Sequence, residues 1–94
     1  MKQGYFYIMS NFTRTVFYCG VTSQLQTRVG RHKDGTGSVF TKKYRCKYLV
    51  YYEIHPTIVR AIEREKQVKN WHRDWKIALI KKINPEMRDL SEDL

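Results

Sequence analysis

Two tyrosines lie eleven residues apart near the amino terminus, each in a short stretch of β-branched and aromatic residues. Tyr7 belongs to residues 5–10 and Tyr18 to residues 16–21, and such stretches favour β-strands. Side chains alternate along a strand and pair across a hairpin, so a four-residue loop sets the two phenols opposite one another on one sheet face. Gly20 then lies on that face without a side chain to obstruct a ligand. Taken alone, the pattern also fits a cross-strand aromatic pair beside a bend-making glycine.

Arg28 and His32 stand four residues apart in the segment that follows. Ser23 and Gln26 form an S-x-x-Q capping box, which predicts a helix of about three turns that ends near residues 34–35. Both side chains then border one surface. Arginine donates two parallel hydrogen bonds to a phosphate, and histidine accepts or relays a proton near neutral pH. Taken alone, a histidine here is more often a structural residue at a helix end.

A carboxylate interrupts the apolar stripe of a later helix. Pro56 suits the first turn of this helix, which is predicted to run to about residue 70. The stripe consists of Ile58, Ala61, Ile62, Glu65, Val68 and Lys69. A carboxylate on a buried stripe loses hydration and needs hydrogen bonds, a cation or a metal. The alternative for Glu65 is an ordinary ion pair with a lysine or arginine, which is the commoner arrangement.

The remaining segments predict a small α+β fold. We expect an exposed basic loop at residues 35–43, a third strand at about residues 47–54, and a last helix at residues 73–82. The predicted order is β-β-α-β-α-α, a three-stranded antiparallel sheet flanked by helices. The aromatic third strand suits the centre of this sheet.

The 94 residues predict one domain. Its core covers about residues 4–85, and the acidic residues 86–94 form a loosely ordered tail. Neither Cys19 nor Cys46 has the CxxC spacing of a zinc site, and two cysteines do not make a disulfide framework.

Charge narrows the class of partner. Eighteen Lys and Arg against nine Asp and Glu give a net charge of +9, which favours polyanions such as nucleic acid, anionic lipid or phosphorylated ligands. Simple solubility is the alternative explanation. No apolar run approaches the ~20 residues that span a bilayer, and the amino terminus lacks a secretion signal. We therefore expect a cytoplasmic protein with no membrane partner.

Together, these residues resemble the GIY-YIG nuclease domain. The matching positions are Tyr5-Phe6-Tyr7, Tyr18-Cys19-Gly20, Arg28, His32 and Glu65. The resemblance covers about residues 4–85, and it is closest to small stand-alone proteins that look like the catalytic domain of the excinuclease C subunit. Tyr5-Phe6 replaces Gly-Ile in the first motif and Cys19 replaces Ile in the second, while both tyrosines and the second glycine are retained. The late asparagine of the family has one candidate, Asn84.

The resemblance implies an endonuclease that hydrolyses phosphodiester bonds with one divalent metal ion. Tyr7 would be the general base, Tyr18 and His32 would orient the attacking water, and Arg28 would clamp a phosphate oxygen. Glu65 would hold Mg²⁺ or Mn²⁺. Arg28 and the metal would lower the pKa of Tyr7 from its ordinary ~10.

Basic residues that flank these positions are candidate phosphate contacts. They are Lys33, Lys42, Lys43, Arg45 and Lys47, and such contacts fix register on a backbone without reading bases. No helix presents base-reading polar residues. We therefore expect DNA, more than RNA, to be selected by structure in repair or recombination, with a partner protein supplying further specificity. The alternatives are a non-catalytic nucleic-acid-binding module that retains the fold, and a protein-interaction domain with an incidental basic surface.

Overall fold

A three-stranded antiparallel sheet forms the centre of the fold. In the computed structural model, which describes residues 2–94, strand β1 (Gly4–Ser10) lies between β2 (Phe17–Thr22) and β3 (Tyr48–His55). Six of the seven residues of β1 are buried, because helices cover both faces of the sheet along this strand. The central strand is therefore β1, and the prediction that the aromatic third strand lies at the centre is wrong.

The β1–β2 hairpin sets Gly20, and not Tyr18, opposite Tyr7. Its loop spans residues 11–16, and Asn11 organises it by accepting hydrogen bonds from two backbone N–H groups at 2.9 and 3.0 Å. With this longer loop, Tyr18 becomes the diagonal neighbour of Tyr7 on the same face, and their ring centroids are 6.4 Å apart. The phenols share a face, as the alternation predicts, but they are not directly opposed.

Alternation along β1 divides the core into two clusters. One face contributes Tyr7, Met9, Leu25, Val29, Cys46 and Leu49. The other contributes Phe6, Ile8, Val50, Tyr51, Val68, Ile80 and Met87. Side chains of β2 divide in the same way, so Tyr18 packs against the first cluster and Cys19 against the second.

Helix α1 (Leu25–Asp34) packs on the face that carries Tyr7. Gln24 occupies its N-cap position without a side-chain hydrogen bond, so the capping box predicted at Ser23 is absent. Gly35 ends the helix in the left-handed conformation, with φ 88°, which glycine adopts without steric cost. The predicted end of α1 is therefore correct.

A short helix, α2 (Val39–Tyr44), replaces the exposed loop predicted at residues 35–43. Ser38 caps it by accepting a hydrogen bond from the backbone N–H of Thr41 at 3.1 Å. Thr41 is 1% exposed, so the helix has a buried side that the polar composition of the segment conceals. Tyr44 ends α2 and is not part of the third strand.

Helices α3 (Ile58–Val68) and α4 (Arg73–Ile83) pack on the opposite face of the sheet. Thr57 caps α3 through its side-chain oxygen. Arg64 donates hydrogen bonds to both carboxylate oxygens of Glu53 in β3, at 3.0 to 3.2 Å, which fixes α3 on the sheet. Within residues 2–94, no helix has both the length and the apolar composition to cross a membrane.

The acidic carboxyl-terminal segment packs on the sheet and is not a loose tail. Met87 is 8% exposed in the core, and Leu90–Asp93 forms a short 3-10 helix. Asp89 accepts hydrogen bonds from the backbone N–H of Leu49 at 3.1 Å and from Lys33 at 2.6 Å. The buried side chain of Met87 and the hydrogen-bonded carboxylate of Asp89 thus hold this segment on the sheet, although its acidic composition predicted a loosely ordered tail.

Candidate active site

The hydroxyl of Tyr7 lies at the centre of a buried hydrogen-bond network. Tyr7 is fully buried, and its Oη lies 2.8 Å from Nε2 of His32 and 3.4 Å from Nε of Arg28. A Cβ atom at Gly20 would come within 2.5 Å of this Oη. Because Gly20 has no side chain, the phenol of Tyr7 can occupy the space beside it.

His32 is held through both of its ring nitrogens. Its Nδ1 lies 2.9 Å from Oγ1 of Thr41, which lies 3.3 Å from the carbonyl oxygen of Ser38. Within residues 2–94, Nε2 of His32 is the one recorded acceptor within reach of the Tyr7 hydroxyl, so we assign the Tyr7 proton to this bond. Nδ1 then carries the ring proton and donates it to Thr41, which donates in turn to the Ser38 carbonyl. This assignment gives every donor an acceptor.

Thr41 and Gly37 support the site, although the sequence analysis did not single them out. Thr41 holds Nδ1 of His32, and a Cβ atom at Gly37 would collide with the imidazole. Serine is typical of helix N-caps, so Ser38 is the one signal in the sequence that favours a helix in this segment.

Tyr18 forms the half-buried rim of the network. Its ring centroid lies 5.4 Å from that of His32 and 5.8 Å from that of Phe40. Tyr7, Tyr18, Arg28 and His32 are thus brought together on one face, as the sequence predicted.

Burial dominates the electrostatics of the network. It raises the pKa of Tyr7 to about 12, and it outweighs the hydrogen bond and positive charge of Arg28, which act in the opposite direction. Arg28 therefore acts in the expected direction, but burial more than offsets it, and the net pKa of Tyr7 is raised. Burial, assisted by Arg28, lowers the pKa of His32 to about 4. At neutral pH the network pairs a neutral phenol with a neutral imidazole.

The lowered pKa of His32 predicts a loss of stability on acidification. Imidazole in the unfolded chain titrates near ~6.5, and His32 in the folded protein titrates near 4. Between these values the unfolded chain binds more protons, so the free energy of unfolding falls as pH is lowered from 6.5 towards 4, by up to ~3 kcal/mol. Denaturant unfolding between pH 7.5 and 4.5 measures this loss.

Two histidine variants locate the source of that pH dependence. His32→Gln should lower stability at neutral pH and flatten its decline between pH 6.5 and 4.5. His72→Gln changes an exposed residue and should keep the wild-type profile. If His32→Gln declines as steeply as the wild type, another group carries the titration.

Glu65 lies across the edge strand from this network. Helix α3 packs against the face that carries Cys19, whereas Tyr18 and Gly20 belong to the opposite face. Burial raises the pKa of the Cys19 thiol to about 11, and the nearby charge of Glu65 contributes to the increase. Glu65 therefore approaches strand β2 from the other side, and the structure records no hydrogen bond between it and the four residues around Tyr7.

The carboxylate of Glu65 has the properties of an open metal ligand. Its side chain is 19% exposed, and within residues 2–94 it accepts no hydrogen bond; Lys69 approaches it loosely, with Nζ 3.8 Å from Oε2. The alternative ion pair is thus present but long. No three His, Cys, Asp or Glu side chains in the described chain could together hold a metal. One oxygen donor group fits a hard divalent ion whose remaining ligands are substrate and water.

Asn84 lies outside the site. Its Nδ2 donates to the carbonyl oxygens of Val50 and Arg88, both at 2.9 Å, and its Oδ1 accepts from the backbone N–H of Arg88 at 3.1 Å. These bonds join the end of α4 to β3 and the carboxyl-terminal segment. We therefore assign Asn84 a structural role, and the structure does not bring this candidate for the late family asparagine to the Tyr7 network.

The five predicted phosphate contacts divide into two groups. Lys33 donates to Asp89 and to the carbonyl oxygen of Lys47, so much of its charge is compensated. The other four are exposed and have no acidic partner within 4 Å in residues 2–94: Lys42, Lys43, Arg45 and Lys47. They form a basic surface along and just after α2.

A polar cleft of about 320 Å³ opens beside the network. Residues 21–24 and Thr27 line it together with Arg28 and Arg31. Two guanidinium groups at one cleft suit a phosphate group. Arg28 thus borders both this cleft and the buried Tyr7.

Comparisons with known proteins identify the family. Residues 3–78 match the family model of the GIY-YIG catalytic domain. Over 64 residues the chain is 38% identical to UPF0213 proteins from Staphylococcus aureus strains Mu3 and COL, a match that covers 68% of this chain and 78% of theirs. The solution NMR structure of a UPF0213 protein from Bacillus halodurans is similar in fold, with TM-score 0.58 and 23% identity, over 96% of this chain and 95% of that one. The chain therefore belongs to the GIY-YIG nuclease superfamily.

Proposed function

We propose that this protein is a metal-dependent endonuclease that hydrolyses phosphodiester bonds in nucleic acid, in DNA more than in RNA. The arrangement of Tyr7 between His32 and Arg28 carries the proposal. At Tyr7, the tyrosine of the first family motif, it combines a phenol that can donate a proton, the His32 imidazole that can accept it, and the Arg28 guanidinium that could bind a phosphate. Buried structural tyrosines do not need this combination of partners.

Tyr7 and His32 are arranged to move a proton in two linked transfers. With the Tyr7 proton assigned to the bond with Nε2 of His32, 2.8 Å away, Oη could accept a proton from water while releasing its own proton to the imidazole. This route needs no phenolate, which is rare at neutral pH when the pKa of Tyr7 is about 12. It forms an imidazolium instead, although burial and Arg28 hold the pKa of His32 near 4 in the free protein. The negative charge of a bound phosphate would raise that pKa and favour the transfer. Donation from Nδ1 of His32 to Oγ1 of Thr41, 2.9 Å away, would leave Nε2 free to accept the Tyr7 proton.

Arg28 would bind the phosphate and open the way to Tyr7. In the free protein its Nε contacts Oη at the long distance of 3.4 Å, while the side chain also borders the polar cleft. Because Tyr7 is fully buried, water reaches Oη only after a neighbouring group moves, and Arg28 is in direct contact with Oη. A phosphate that draws the guanidinium into the cleft would supply that movement.

Glu65 would hold the divalent ion, Mg²⁺ or Mn²⁺. A carboxylate that is mostly buried and accepts no hydrogen bond within residues 2–94 supports this role. When bound, such an ion supplies positive charge that stabilises the leaving oxygen and the charge developing on phosphorus.

We further propose that nucleic-acid structure decides where this enzyme cuts, in a cytoplasmic role in DNA repair or recombination. The exposed Lys42, Lys43, Arg45 and Lys47 suit contacts with a phosphate backbone. A partner protein would supply any further specificity.

A non-catalytic nucleic-acid-binding module is the second candidate, and the full burial of Tyr7 favours it. The first experiment incubates the purified protein with single-stranded, duplex, nicked and branched DNA in Mg²⁺, Mn²⁺ or EDTA. Cleavage that EDTA stops supports the enzyme. Binding of these DNAs without any cleavage supports the module.

Two sets of substitutions separate binding from cutting. Replacing Lys42 and Lys43 by alanine should weaken nucleic-acid binding. The slope of the logarithm of the binding constant against the logarithm of the salt concentration should become shallower by up to about two, since each phosphate contact releases close to one counterion. Turnover of bound substrate should change little. Arg28→Ala should instead lower the single-turnover rate by ~10²-fold or more with a modest loss of affinity. An Arg28→Ala variant that loses affinity alone would favour the binding module.

A further inference from the structure

We infer that helix α2 carries a stacking platform for unpaired bases, formed by Phe40 and Tyr44 beside Tyr18. This platform would define the substrate class as nucleic acid with a single-stranded segment next to the cut. The inference rests on the proposed nucleic-acid substrate, although its test requires no cleavage.

The three rings form a continuous row. The centroid of Phe40 lies 5.8 Å from that of Tyr18 and 4.8 Å from that of Tyr44. Phe40 and Tyr44 are four residues apart, so they lie on the same side of the helix. They remain 41% and 42% exposed, which leaves aromatic surface in water that the fold does not use.

Positive charge accompanies the exposed rings. Nζ of Lys43 lies 5.3 Å from the ring centroid of Tyr44, and Lys42 and Arg45 are exposed on the same short segment. Proteins that bind single strands combine cationic contacts to the backbone with aromatic rings on which bases stack. A duplex hides its base faces, so only unpaired nucleotides can use both features together.

The row leads directly to the proposed active site. Tyr18 is the end of the row nearest the active site. Its ring centroid lies 5.8 Å from that of Phe40 on one side and 5.4 Å from that of His32 on the other. A base stacked on Phe40 would therefore bring its neighbouring phosphodiester towards Tyr18 and Arg28. The exposed Trp75, 58% accessible on α4, has no such connection to the network.

Binding measurements in EDTA test the platform. Fluorescence anisotropy compares oligo(dT), oligo(U) and an abasic DNA strand of equal length, whose backbone charge is the same as that of oligo(dT). For wild type, the strands with bases should bind more tightly. Tyr44→Ala should weaken their binding by between about fivefold and 150-fold, the range for one lost stacking contact. Its affinity for the abasic strand should not change.

Controls separate stacking from folding and from loss of an exposed aromatic residue. Phe12→Ala removes a phenylalanine that is 75% exposed elsewhere on the molecule and should bind all strands as wild type does. Phe40→Ala should weaken binding of the strands with bases as Tyr44→Ala does. Phe40→Trp keeps an aromatic ring at this position and should bind them as wild type does. Far-UV circular dichroism of each variant checks α2 and the rest of the fold.

Equal affinity of wild type for oligo(dT), oligo(U) and the abasic strand would overturn the inference, as would an equal loss on all three strands in Tyr44→Ala. A base-specific loss on either polymer supports it and shows whether DNA or RNA uses the platform. This test measures no cleavage, so it is independent of the proposed nuclease activity. If the protein binds bases through these rings but cuts no DNA in the cleavage experiment, the platform is supported and the nuclease proposal is refuted.

Discussion

Replacing Tyr7 by phenylalanine is expected to lower the single-turnover cleavage rate by ~10² to 10⁴-fold, the usual contribution of a general acid or base. The substitution removes only Oη, which is the atom that joins His32 to Arg28. Without it, a water proton has no route to Nε2 of His32. Loss of the hydroxyl also leaves Nε2 of His32 and Nε of Arg28 without this hydrogen-bond partner, which should lower the free energy of unfolding by ~1 to 3 kcal/mol. Unfolding is therefore measured on the same samples.

Tyr5→Phe is the matched control for this experiment. Tyr5 lies on the same strand and the same face, two residues away, but it is outside the hydrogen-bond network. It should retain nearly the full rate. Similar small effects of the two substitutions would remove Tyr7 from the chemistry and leave its hydroxyl with a structural role.

Patterns that depend on local periodicity were sufficient to predict much of this fold and site. Alternation along two strands placed Tyr7 and Tyr18 on one face, and helical spacing placed Arg28 and His32 on one side of their helix. The family resemblance implied that these two surfaces meet, as the structure shows. These relations involve few residues and regular geometry, so they follow directly from the order of residue types.

Relations that depend on loop length or on packing from distant segments were not predictable. The hairpin loop is two residues longer than expected, which moved Gly20 opposite Tyr7. Helix α2 depends on the burial of Thr41 against His32, a contact that polar composition gives no reason to expect. The raised pKa of Tyr7 likewise follows from burial by the whole fold, which outweighs the single favourable charge that the sequence displays.

Substituting Glu65 by alanine is expected to abolish metal-dependent cleavage, with a rate loss on the order of 10³ or more because a bound metal ion contributes several kcal/mol to the transition state. The fold should survive, since the carboxylate accepts no hydrogen bond within residues 2–94 and pairs only loosely with Lys69. Single-turnover cleavage over a range of Mg²⁺ and Mn²⁺ concentrations measures the effect, with thermal unfolding as the check on stability.

Two variants on the same helix distinguish a metal ligand from a structural ion pair. Glu63→Ala removes an exposed carboxylate of equal charge and should leave cleavage and stability almost unchanged. Lys69→Ala removes the cation that lies 3.8 Å from Glu65, and without that competing charge the metal should bind as well as before or more tightly. If Lys69→Ala instead loses activity and stability to the same extent as Glu65→Ala, the pair is structural and Glu65 is not the metal ligand.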